Sequence, residues 1–146
     1  MSNSLPSRLA EIIEEFRWCE GSEKLELLLQ YSYRFPSLPD WLMHQRNAME
    51  SVPECITPVF LFMEWQPSGA VLHFDVPPEA PTIRGYAAIM AEGLRGTSRE
   101  QILALPNDFY MAMGLQEILT PQRLNGIAAI VARVKQVARQ HQPTQA

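Results

Sequence analysis

Cysteine is scarce in this chain, with two among 146 residues. That is too few for a disulfide framework or a four-thiolate metal site. Long hydrophobic runs are also missing. The strongest apolar stretches, such as Val59 to Met63, fall far short of the ~20 residues of a membrane span, so no membrane partner is expected. The N-terminal stretch through Trp18 has no basic segment followed by an apolar one, and it carries acids that transit peptides avoid, so no leader is expected. A reducing cytoplasm is then the expected compartment, with both thiols free. The net charge is −4, which argues against a nucleic-acid partner. Catalytic and cofactor signatures are absent: there is no GxGxxG, P-loop, HExxH or GxSxG. The three histidines, His44, His73 and His141, are scattered without ligand spacing. Neither a metal nor a cofactor of the chain's own is expected.

What the chain does have is a folding composition. It is 47% hydrophobic and 19% charged, too apolar for a disordered chain. Its length fits a single domain over residues 1–146, burying about two thirds of its unfolded surface, with a frayed tail from about residue 140. Twelve prolines interrupt regular structure and delimit the elements. Leu9, Ile12, Ile13 and Phe16 mark one helix face. Ser22 caps a second helix, with Leu25, Leu28 and Leu29 as its buried stripe. Ser37 to Glu54 reads as a long irregular segment, the kind that is usually functional when present. A β pair follows, Pro58 to Trp65 and Ala70 to Val76, joined through Pro67 to Gly69. Ile83, Ala87, Met90, Ala91 and Leu94 form another helical stripe. Thr97 and Glu100 have the spacing of a capping box, and a short piece spans Asn107 to Leu115. Thr120 and Pro121 then open a last helix with the stripe Ile127, Ile130, Val131, Val134 and Val137 or Ala138. Helices flanking a small antiparallel sheet make the expected class α+β.

Charge is unevenly spread. Six acids lie between Glu11 and Glu26, whereas Pro121 to Ala146 holds Arg123, Arg133, Lys135 and Arg139 and no acid. The cations either answer the dipole at the last helix's C-terminus or present a field to a partner protein. Arg123 fits only the second class of reading. It sits in the first turn, where a cation is disfavoured, so it serves a partner or a fixed tertiary contact.

The two thiols read differently. Cys19, after Trp18, is a small apolar residue at a helix end. Cys55 lies between Pro53 and Pro58, just before a strand. Such a turn is a poor core position and a good platform for a nucleophile, although neighbouring Glu54 raises a thiol pKa. One reading is a cysteine hydrolase with His44 or His73 as base. His73, however, points away from the faces of Leu72 and Phe74 and is expected on the solvent side of the sheet.

With Cys55 in place, the sequence resembles the SufE family. Val52-Pro-Glu-Cys-Ile-Thr-Pro-Val-Phe60 matches a V-x-G-C-x-S-x-[VA]-[WY] loop, with Glu54 in the glycine position. Glu79-Ala-Pro-Thr-Ile-Arg-Gly85 matches a segment leading into a helix. Leu119-Thr-Pro-Gln-Arg-Leu-Asn-Gly126 matches L-[ST]-P-x-R-x-N-G, preceded by Met113-Gly-Leu115, and Leu38-Pro39 also fits. Together the matches run from about residue 7 to 138 in the family's order.

The resemblance implies a SufE/IscU-like fold and a sulfur relay. Cys55 would accept persulfide sulfur from a SufS-like, pyridoxal-phosphate-dependent cysteine desulfurase and pass it to a SufBCD-like iron–sulfur scaffold. The chain would be a stimulating carrier rather than a self-sufficient enzyme, with a homodimer left open. Arg123 and Glu54 would bear on partner contact, Asn125 on local structure, and Gly126 on close helix–sheet packing. A binding-only desulfurase regulator is the alternative. The reactivity of a persulfide also predicts a sheltered resting thiol, packed in an apolar hollow near Phe60 or the sheet edge.

Overall fold

Backbone breakers set the element boundaries. The computed structural model describes residues 5–141; the tail expected beyond His141 lies outside them. Pro6 precedes α1 (Ser7–Arg17), and α2 (Ser22–Tyr33) follows Gly21, whose φ of 54° turns the chain sharply. The α1 stripe is as expected, with Leu9, Ile12, Ile13 and Phe16 all buried. The α2 face is rotated from the expected one. Ser22 is the first helical residue and caps nothing with its side chain; the buried residues are Lys24, Leu28, Tyr31 and Ser32, while Leu25 and Leu29 are half-buried.

Lys24 explains the rotation. Its Nζ donates to Phe16 O at 2.6 Å and Met113 O at 3.0 Å, carbonyls at the ends of two helices. A cation there is favoured by both helix dipoles.

The segment 37–54 is more ordered than expected. It holds the short helix α3 (Asp40–Met43), a 3₁₀ turn at Arg46–Ala48, and β1 (Glu50–Ser51). The sheet therefore has three antiparallel strands rather than two, in the order β1, β2 (Phe60–Gln66), β3 (Gly69–Asp75). A two-residue edge strand is too short to show a period of two. Gln66 pairs with Gly69 and Phe60 with Asp75, so Pro67 and Ser68 form a two-residue hairpin loop.

The sheet is covered by α4 (Pro81–Gly93), which packs on β3, α1 and α2. Gly85 makes the α2 contact close: a Cβ there would stand 2.3 Å from Leu28 O. Ile83, Ala87, Met90 and Leu94 are buried as their spacing predicts, while Ala91 of the same stripe is half-buried.

The next cap lies one residue later than expected. In α5 (Arg99–Leu103) Ser98 is the N-cap and Gln101 reaches back, forming the box. Thr97 is committed elsewhere, since its buried hydroxyl donates to Leu94 O and its carbonyl accepts from Ala70 N. Within 107–115 only α6 (Tyr110–Met113) is helical, and a 3₁₀ turn follows at Leu115–Glu117.

The last helix, α7 (Pro121–Gln140), begins where Thr120 and Pro121 predict, with Thr120 Oγ1 accepting from Arg123 N. Ile127, Ile130, Val131, Val134 and Ala138 are buried. The C-terminal carbonyls of α7 at Ala138 and Arg139 are met by Arg99, not by a basic residue of α7 itself. The whole is α+β, and α7 lies against β2 with its first turns beside the loop that carries Cys55.

Candidate functional site

The site is built where three chain segments converge. The Cys55 loop is tied at its base by two backbone bonds, Val52 N to Val59 O at 2.9 Å and Cys55 N to Val52 O at 3.1 Å. Pro53 and Pro58 limit its remaining freedom. From this platform the half-buried Cys55 thiol faces α7, and Sγ donates to Gly126 O at 3.3 Å. The approach depends on glycine, since a Cβ at residue 126 would lie 3.0 Å from Sγ. The close packing at Gly126 is thus with the Cys55 loop rather than with the sheet. The thiol is half-buried as expected, but it is sheltered by α7. The hollow beside it is polar and does not include Phe60, where an apolar hollow near Phe60 or the sheet edge is expected.

Beside the thiol is a hollow of about 230 Å³ lined by the loop, by the start of α4 and by the first turn of α7. The loop contributes Cys55, Ile56 and Thr57, and α4 and its approach contribute Glu79 to Ile83. From α7 come Gln122, Arg123 and Gly126. Arg123 has the fixed tertiary contact that its unfavourable place in the helix suggests: Nη1 donates to Thr82 Oγ1 at 3.2 Å. Thr82 and Gln122 carry no functional signal of their own in the sequence, and Thr82 is marked there only as part of the Glu79–Gly85 stretch. Glu54 and Asn125, both exposed, line a neighbouring shallow groove with Asn107 and Arg133.

Burial pushes the Cys55 thiol up to about 11, with the Glu54 carboxylate adding in the same direction. The resting sulfur is a neutral thiol. Next to it Ile56 is 77% exposed, an apolar side chain presented to whatever approaches the loop.

No histidine lines this hollow among the described residues. The ring of His44 is engaged with Asp40 O, and His73 Nε2 lies 2.9 Å from Glu64 Oε1 with Trp41 packed edge-on against it. His73 is turned off the core face as expected, although Trp41 half covers it. The hydrolase reading thereby loses its base. Among the described residues no three His, Cys, Asp or Glu side chains are grouped to hold a metal ion. No described helix is long and apolar enough to cross a membrane.

The SufE family, described as an Fe-S metabolism associated domain, matches residues 10–138. The chain belongs to the SufE family. Its relatives include uncharacterised SufE-like proteins from two strains of Mycobacterium tuberculosis, each 44% identical over 138 residues, covering 94% of this chain and 95% of the relative. The SufE-like protein 1 of Arabidopsis thaliana, chloroplastic/mitochondrial, is 28% identical over 84% of this chain but only 32% of its own length. The solution structure of a hypothetical protein from Thermus thermophilus superposes with a TM-score of 0.82 at 34% identity, covering 94% of this chain and 97% of that one. The SufE match spans the Cys55 loop, the α4 start and the α7 start, the three parts of the hollow.

Proposed function

We propose that this protein is a sulfur carrier: Cys55 accepts sulfur from the persulfide of a cysteine desulfurase and delivers it to an iron–sulfur cluster scaffold. The observation that carries the reading is the placement of Cys55 on a braced loop beside a polar hollow, in a chain of the SufE family. The donor is a SufS-like, pyridoxal-phosphate-dependent enzyme and the acceptor a SufBCD-like complex. The chain acts as one SufE-like domain in the cytoplasm, with no cofactor of its own, and is not itself an enzyme.

The chemistry asks for an accessible thiolate and little else. Cys55 Sγ bonds the outer sulfur of the donor persulfide as the donor's S–S bond breaks. The donor departs as a thiolate and takes up the proton that Cys55 released, so sulfane sulfur moves with no net oxidation. A thiol pushed up to about 11 is ionised in roughly one molecule in ten thousand at neutral pH. The free protein therefore reacts slowly, and in this reading partner docking draws Cys55 off the Gly126 carbonyl. Selective transfer is the gain, because stray oxidants and thiols meet a protonated, sheltered sulfur.

Incubation with a desulfurase and free cysteine is expected to place one sulfur, about 32 Da, on Cys55 by mass spectrometry. Absence of that adduct, or its persistence in Cys55→Ser, overturns the reading. The same locked thiol is what a binding-only regulator would carry. Cys55→Ser separates the two, since a regulator's stimulation of desulfurase turnover survives the change and a carrier's does not.

A further inference from the structure

The hollow is larger than resting Cys55 requires. Its volume of about 230 Å³ exceeds several times the roughly 30 Å³ that a water molecule occupies in the liquid. Among its lining residues the only cation is Arg123, and it is incompletely used. One guanidinium nitrogen donates to Thr82, which leaves most of five N–H donors unclaimed, and none of the ion pairs among the described residues includes it. The α4 N-terminus, which also forms the wall, has no side-chain cap and so leaves its positive potential facing outward.

We propose that this hollow is the seat of the transferred sulfur: the outer sulfur of a Cys55 persulfide turns inward, with the Arg123 guanidinium as its counter-charge. The inference rests on the relay reading above and names the state that the relay must hold between its two transfers. A persulfide is a stronger acid than its parent thiol, so charge appears on the sulfur only once Cys55 is loaded. Before loading, Arg123 makes no ion pair among the described residues. After loading, a soft monoanion lies beside a weakly hydrated, delocalised cation, the pairing for which guanidinium is better suited than ammonium.

The charged groups lining the seat are Glu79 ahead of α4 and Arg123 on α7, while Glu54, beside Cys55 on the loop, lines the neighbouring groove. Both carboxylates and Arg123 belong to exposed residues, so solvent screens all three charges. The carboxylates oppose the anion, and Arg123, the one cation of the lining, is the group that offsets them.

The test loads purified protein with excess inorganic polysulfide at alkaline pH, where more of the Cys55 thiol is ionised, and so supplies sulfane sulfur without a desulfurase. Two quantities are read: the pH midpoint at which the near-ultraviolet absorbance of the persulfide anion appears, and the rate at which cyanide strips the outer sulfur as thiocyanate. Arg123→Ala is expected to raise the midpoint by about one unit, a tenfold loss of anion stabilisation, and to speed cyanide loss. Arg123→Lys is expected to retain part of both effects, because it keeps the charge. Arg139→Ala removes a cation from the far end of α7 and is expected to change neither.

An unchanged midpoint in Arg123→Ala, or an equal shift in Arg139→Ala, overturns the seat. So does failure of polysulfide to load Cys55. A protein that loads from polysulfide with the expected midpoints, but never from a desulfurase, supports the seat and overturns the relay.

Discussion

Cys55 and Gly126 lie 71 residues apart in sequence, yet the thiol of one donates to the carbonyl of the other at 3.3 Å, and only the missing side chain of Gly126 lets it come that near. This contact joins the loop thiol to the longest helix of the fold. A helix carbonyl already engaged in the helical ladder is a weak additional acceptor, so the bond restrains the loop without locking it irreversibly.

Gly126→Ala should open this latch. The new Cβ would stand 3.0 Å from Sγ, tighter than ordinary contact, and the loop is the element that yields because its base hangs on only two backbone bonds. Alanine also adds about 1 kcal/mol of helix propensity, which offsets the strain. The expected result is a Cys55 that reacts several-fold faster with iodoacetamide at little cost in thermal stability. Unchanged alkylation together with a large loss of stability would mean that the helix, not the loop, absorbs the clash.

Alkaline pH should weaken the fold through the same thiol. Cys55 is pushed up to about 11 when folded, whereas an exposed thiol titrates near about 8.5. A group whose folded value is raised contributes stability below the unfolded value and loses it as pH rises through the folded one. Stability should therefore decline from about pH 8.5 to about pH 11, and Cys55→Ser should flatten that part of the profile. Because Tyr31 is also raised, to about 12, the measurement is the difference between the two proteins in urea midpoint, not the wild-type slope alone.

Much of this architecture is readable from the sequence, and the exceptions have physical causes. The α1 and α7 stripes follow a 3.6-residue period without interruption, and the chain buries them as written. β1 is illegible, because two residues carry no period and its pairing with β2 comes from backbone groups alone. The α2 face departs from its pattern because Lys24, a residue usually assigned to solvent, is buried by its bonds to two helix ends. The cap at α5 slips by one residue because Thr97 is held by β3, a contact that no local pattern encodes. At the site, Cys55 is marked by its prolines and Arg123 by its misplaced charge. Thr82 and the Gly126 carbonyl come into view only with the tertiary contacts, since hydrogen bonds across 41 and 71 residues leave no trace in local spacing.

Thr120 offers a test of how firmly the hollow is framed. Its hydroxyl accepts from Arg123 N at 3.3 Å and fixes the first turn of α7. Thr120→Ala should cost about 1 kcal/mol of unfolding free energy, the usual worth of an N-cap, with Thr120→Ser close to neutral. Chemical denaturation of the three proteins checks this. A loss in both variants would point to the threonine methyl rather than the cap.

Glu54 controls how readily the resting thiol ionises, and its effect should be modest. Burial is the larger cause of the raised Cys55 value and the Glu54 carboxylate the smaller one, so neutralising it should shift the thiol by less than one unit. Glu54→Gln keeps the size of an exposed side chain and removes only the charge. The expected outcome is alkylation at mildly alkaline pH faster by less than tenfold, with the gain shrinking as salt is added, because an exposed charge acts through screened solvent. If the gain exceeds tenfold, or does not respond to salt, Glu54 is acting on the burial of Cys55 by holding the loop down, and not through its charge.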